Sequence, residues 1–212
     1  MTRPLHHVTI ALAVLLAGGA FVSAQKLNQV WRNPDAAPLG FAGKKVVAVI
    51  MTGDQNLEVS GEEALVRELN MLGVQGVAAY RMIPREELKD AEKAKGWITR
   101  AKIDGAVVMR VLSSDKETTY RPSMWVTTGY STMWSYWGTG WSTTSVYVAG
   151  KTVTNKFVSV ETLVYNVAKD QLVWAGVSDI KNPQTMQREI ALLVSEVVAE
   201  MKKNGLIPKG AK

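Results

Sequence analysis

The chain of 212 residues contains no cysteine. Disulfides, thiolate nucleophiles and thiolate metal sites are therefore excluded, and the hydrophobic core must hold the fold without covalent staples. Histidine is nearly absent as well: His6 and His7 are its two occurrences, both within the first 24 residues. If that segment is removed, no imidazole remains for a Ser-His-Asp or Cys-His nucleophile, for general-base catalysis near neutrality, or for zinc, copper or haem. Such an inventory argues against an enzyme. No long run of one charge sign occurs either, because the net charge of +6 comes from Lys and Arg mixed with Asp and Glu along the chain. This mild basicity points away from nucleic acid and is compatible with a solvated surface or with anionic envelope polymers.

The longest uninterrupted apolar run at the start of the chain is Ile10–Ala17, IALAVLLA. It is shorter than the ~20 residues of a spanning helix. Arg3 lies ahead of it, and Val22 and Ala24 close it as small residues at cleavage spacing. This is the pattern of an export signal, with cleavage expected between Ala24 and Gln25 and a periplasmic or secreted mature chain. The expected organisation is a signal at 1–24, an extended lead-in at 25–43 broken by Pro34 and Pro38, one domain at 44–205, and a C-terminal tail at 206–212.

Within that domain, Lys45–Met51 (KVVAVIM) is a continuous β-branched run, expected as a strand covered on both faces. Ser60 and Glu63 have capping-box spacing and predict a helix with Leu65, Leu69 and Leu72 inward, closed by Gly73. Val74–Ile83 reads as a second strand, and Pro84 opens a charged helix over Arg85–Lys102 with Trp97, Ile98 and Ala101 inward. Ala106–Leu112 (AVVMRVL) is the third strand, parallel to the first two by right-handed crossovers. Lys156–Tyr165 and Gln171–Val177 flank the turn formers NVAKD and predict an antiparallel hairpin. Asn182-Pro183 should start a final helix with Met186, Ile190, Leu193, Val194, Val197 and Met201 on one face and Gly205 at its end. The expected fold class is thus α/β: a mixed sheet of three parallel strands with crossover helices, an antiparallel hairpin and a C-terminal packing helix.

Few motifs carry chemistry. Ala149–Thr152 (AGKT) has the ending of a phosphate loop, but Ser145 stands where that loop needs glycine, and a β-branched stretch follows instead of a helix. Asp54 and Glu58 after the first strand, with Asp115 and Glu117 after the third, would share one sheet edge. They could form a small cation or acid/base cluster for a hydrolase, while the plainer expectation is loop carboxylates and a helix-terminal charge. No catalytic residue, metal ligand or cofactor is assigned.

The sharpest feature is positive. From Pro122 to Gly150 no residue is charged, yet the stretch holds Trp125, Tyr130, Trp134, Tyr136, Trp137, Trp141 and Tyr147. Indole and phenol rings pair apolar area with a polar edge, which suits interfaces. Trp125, Tyr130, Trp134, Tyr136, Trp137 and Trp141 are therefore the candidate contact residues. Whether the insertion is covered by its own domain or by something else is left open by composition. The expected partner is an envelope protein or further copies of the chain, with membrane-surface or glycan contact as other options and no nucleic acid. A pore or secretion-channel-like subunit is the competing class.

Three stretches resemble a family of small bacterial envelope proteins, mostly lipoproteins: VWRNPDAAP (Val30–Pro38), ETTYRP (Glu117–Pro122) and LVYNVAKDQLVWAG (Leu163–Gly176). That family is similar in architecture to the amino-terminal domain of the Tol-system β-propeller protein and to the curli secretion channel family. The resemblance implies the strand-helix order given above and an envelope role, not an activity, because its motifs are structural. The lipoprotein cysteine of that family is missing here.

Overall fold

The computed structural model describes residues 27–36, 40–114, 128–141, 157–181 and 185–207. The signal, the AGKT stretch, Trp125, Asp115 and Glu117 lie outside the described residues. The elements in order are β1 (Gln29–Arg32), β2 (Lys45–Met51), α1 (Gln55–Met71), β3 (Gln75–Ala78), α2 (Ala79–Met82), α3 (Arg85–Leu88) and α4 (Ala91–Arg100). They continue with β4 (Gly105–Ser114), α5 (Thr128–Ser131), α6 (Met133–Gly140), β5 (Phe157–Asn166), β6 (Gln171–Lys181) and α7 (Met186–Lys203). The described strands form one sheet in the order β1-β6-β5-β4-β2-β3. β2 pairs in parallel with β3 and β4, while β5 pairs antiparallel with β4 and β6. The α/β class, the three parallel strands and the hairpin are as the sequence indicates.

The continuous hydrophobicity of β2 follows from its place inside the sheet with both faces covered. Val46, Ala48 and Ile50 pack with α1 and α7 on one face, beside Val107, Met109 and Val160. Val47, Val49 and Met51 pack on the other, with Ala106, Val108, Leu163 and Tyr165 beneath α4 and α6. The expected stripe of α7, from Met186 to Met201, is buried throughout, and Gly205 adopts φ 73° just past the helix end.

Four boundaries differ from expectation, the first three for a local reason. α1 begins at Gln55 rather than near Ser60, because the Asp54 carboxylate accepts the N–H groups of Asn56 and Leu57 directly after β2. Just past the added first turn the helix lies tight on the sheet at Gly61, where a Cβ would sit 2.9 Å from Ile50 Cγ1 and 3.2 Å from Ile190 Cγ2. The second strand stops at Ala78, and the chain turns into α2 because Glu62 Oε2 accepts the Tyr80 N–H at 2.9 Å. The charged helix is split into α3 and α4 by Asp90, whose side chain caps α4 through Glu92 and Lys93 N–H. The final helix starts at Met186, with Thr185 in the cap position.

The lead-in and tail also contribute more than extended chain. Gln29–Arg32 forms an edge strand antiparallel to β6. Leu27 and Phe41 from the lead-in, with Leu206 and Ile207 from the tail, are buried in the core.

Candidate functional site

The described part of the aromatic insertion is helical. Met133, Tyr136, Trp137 and Gly140 recur at helical i, i+3, i+4, i+7 spacing and form the buried face of α6. Gly140 permits the approach: a Cβ there would lie 2.7 Å from Met51 Sδ on β2. The helix start is satisfied from two directions. Thr132 Oγ1 accepts from Ser135 N at 3.3 Å, and Asp170, from the β5-β6 turn, accepts from Met133 N at 2.8 Å and Trp134 N at 3.4 Å. Asp170 can do so because it holds φ 46°, a left-handed conformation that Asp tolerates in a tight turn.

Five of the six candidate rings are described. Tyr136, Trp137 and Trp141 are 1%, 0% and 7% exposed, so they belong to the domain's own core. Trp137 Nε1 donates to Leu88 O at 2.8 Å, tying α6 to the end of α3. Lys89 Nζ lies 5.8 Å from the Trp141 ring. Tyr130 and Trp134 are half-buried and pack against the same core. Trp134 meets Trp137 in a tilted pair with centroids 6.0 Å apart, and Lys95 Nζ stands 5.8 Å from its ring.

Beneath α6 lies a buried ion pair. Arg110 on β4 and Glu161 on β5 are cross-strand partners on the α6 face of the sheet. Arg110 Nη2 sits 2.8 Å from Glu161 Oε2, with side chains 9% and 0% exposed. Tyr136 donates its O–H to the same oxygen at 2.8 Å, and Arg110 Nη2 donates to the Tyr130 hydroxyl at 3.1 Å. The Arg110 guanidinium carbon lies 5.2 Å from the Tyr136 ring centre, and the Tyr165 O–H donates to Tyr130 O at 3.0 Å. Burial, then the charge of Glu161, pushes the Tyr136 and Tyr165 phenols well up, and the same two causes raise Tyr130. Tyr136 and Tyr165 are donors held neutral, not bases. The cluster neutralises and orients; it contains no activated nucleophile.

Residue-by-residue reading of the sequence misses this pair, although each partner is the lone charge in its strand, one of each sign. Glu62 is missed in the same way. Fully buried, it accepts Ile50 N at 3.1 Å and Tyr80 N at 2.9 Å, and burial pushes its carboxyl up to about 8 against the lowering effect of those amides.

Of the four carboxylates singled out for chemistry, Asp54 caps α1 and Glu58 is buried one turn later. Among the described residues, no three His, Cys, Asp or Glu side chains come together as a metal site.

No protein-family model matches the chain, and neither does any curated protein. Solved structures with a related backbone include the PelC dodecamer from Paraburkholderia phytofirmans. One of its crystal forms, of a substituted variant, is 14% identical at TM-score 0.45, covering 85% of this chain and 98% of that one. A second form gives 14% identity, TM-score 0.43, and coverage of 84% and 97%. Lipoprotein GNA1162 from Neisseria meningitidis gives 14% identity, TM-score 0.37, and coverage of 78% and 99%. At this identity and overlap the likeness carries neither function nor assembly over to this chain.

Proposed function

We propose that the protein is exported to the bacterial envelope and acts there without catalytic turnover, by contact with a protein partner, its own copies included. The contact surface is the outer side of α6, centred on Trp134, with the partly exposed Tyr130 of α5 in the same segment. One observation carries this reading: Trp134 is a partly exposed indole on a helix whose other aromatics, Tyr136 and Trp137, are locked into the core. A ring held on such a platform loses little conformational entropy on binding, which is the property of an interface anchor. The export signal and the absence of imidazole and thiol after it support the compartment and the non-enzymatic role. The acid-base groups point the same way, because Glu62, Glu161 and Asp170 all hold structural hydrogen bonds. Among the described residues no helix is long and apolar enough to cross a membrane.

The test is crosslinking and pull-down from envelope fractions, together with light scattering, on the intact protein and the Trp134→Ser variant. Trp134→Ser should lose the association while unfolding at an unchanged temperature. Undiminished association in the Trp134→Ser variant would overturn the proposal.

A further inference from the structure

A second feature lies on α1, away from α6. Glu58 is 3% exposed, yet its carboxylate has no hydrogen-bond partner among the described residues. The nearest charge is Arg85 Nη1 at 3.5 Å, on a side chain 53% exposed. Glu62, one helical turn further, has both oxygens engaged by backbone amides. A nearly buried carboxylate that has one long ion pair and no hydrogen bond among the described residues is open to a further donor.

Glu58 faces a small cavity of about 80 Å³, walled by Tyr80, Ile83, Arg85 and Leu88. It also lines a wider cleft of about 400 Å³ with Arg85, Glu86, Leu88 and Lys89. The two spaces share Glu58, Arg85 and Leu88, so they form one site with a narrow acidic base and a broader rim. The site stands beyond the carboxyl ends of β2 and β3, where open α/β sheets commonly bind ligands.

The charges select the ligand. A simple cation would be drawn to Glu58 but opposed by Arg85 and Lys89, and a simple anion would meet Glu58 and Glu86. A small molecule carrying both signs a few ångströms apart satisfies both halves. We infer that this site binds a small zwitterion of the amino-acid class, its ammonium group donating to Glu58 in the inner cavity and its carboxylate meeting Arg85 and Lys89 at the rim. The inner cavity, about 80 Å³ with Ile83 and Leu88 among its walls, has room for an ammonium group and the carbon that bears it. Arg85, half in solvent, is free to turn from Glu58 to the incoming carboxylate. This inference is independent of the contact surface on α6.

The experiment is calorimetric and NMR titration of the mature full-length protein with the common L-amino acids and their D-enantiomers. Ethanolamine and acetate serve as singly charged controls. At least one zwitterion should bind with micromolar to millimolar affinity, with both controls at least tenfold weaker. Glu58→Gln should weaken that binding by tenfold or more while leaving the far-UV circular dichroism and unfolding temperature near those of the parent. Arg85→Gln should weaken zwitterion binding and leave ethanolamine no weaker. Absence of binding by every amino acid at 10-fold excess over millimolar protein, or binding unaffected by Glu58→Gln, would overturn the inference and leave the cavity a water site.

Discussion

Replacing Glu161 with Gln removes the negative half of the buried Arg110–Glu161 pair while preserving side-chain shape. The structure sets a large effect. Both side chains are at most 9% exposed, the ion pair is 2.8 Å long, and the same oxygen accepts the Tyr136 hydroxyl. Breaking such a pair by removing one partner leaves an uncompensated buried charge, a loss of about 3–5 kcal/mol. For a domain of this size that corresponds to a fall of roughly 6–20 °C in unfolding temperature. The double variant Arg110→Met/Glu161→Leu removes both charges and fills the space with apolar atoms. It should recover most of the loss and could exceed the parent, since exchanging a whole buried pair for hydrophobic residues ranges from neutral to a gain of about 1–4 kcal/mol. Urea and thermal unfolding, followed by both far-UV circular dichroism and tryptophan fluorescence, measure all three proteins. The reasoning is refuted if Glu161→Gln costs less than about 1 kcal/mol, the scale of a screened surface pair, or if the double variant is as unstable as the single one.

Three further outcomes follow from the same packing. Glu62 has a folded-state carboxyl at about 8 against an ordinary 4.5, so its stabilising effect is full below pH 4.5 and declines as pH rises toward 8. The stability difference between the parent and Glu62→Gln should therefore shift with pH across that window, by on the order of a few kcal/mol in the parent's disfavour, and a pH-independent difference would contradict it. Asp170→Ala removes the cap that α6 receives from the β5-β6 turn and should cost about 1 kcal/mol with a red shift in tryptophan emission. Gly140→Ala drives a methyl group against Met51 Sδ and should cost about 1–3 kcal/mol in urea unfolding, whereas Gly138→Ala, which meets nothing within 4 Å, should not.

The strands and the final helix are readable from sequence because their patterns have one interpretation. KVVAVIM is apolar on both faces since the sheet is covered on both faces, and the α7 stripe from Met186 to Met201 repeats at one helical spacing. α6 is obscured by composition. Its Gly, Ser and Thr content suggests a loop, while the spacing of Met133, Tyr136, Trp137 and Gly140 is that of a helix face. The start of α1 is obscured by competition between two capping signals, and Asp54 prevails because its carboxylate caps the helix three residues after β2 and lets Leu57 reach the core. Buried charge is the hardest to read. Glu58, Glu62 and Glu161 look like solvent-facing positions until their partners arrive from distant segments: Arg85, the amides of Ile50 and Tyr80, and Arg110. Such pairings are properties of the sheet order and register, which local pattern does not specify.

The described part of the uncharged aromatic segment carries a docked helix, α6, whose Tyr136 and Trp137 complete the domain core while Trp134 stays partly exposed. Native-state hydrogen exchange of the protein, read amide by amide across α6, tests this most directly. The amides of Tyr136 and Trp137 should be protected to a level approaching that of β2 and β4, because opening α6 exposes two buried rings and the Arg110–Glu161 pair. Exchange of those amides at the rate of an unstructured peptide, with β2 and β4 still protected, would contradict it.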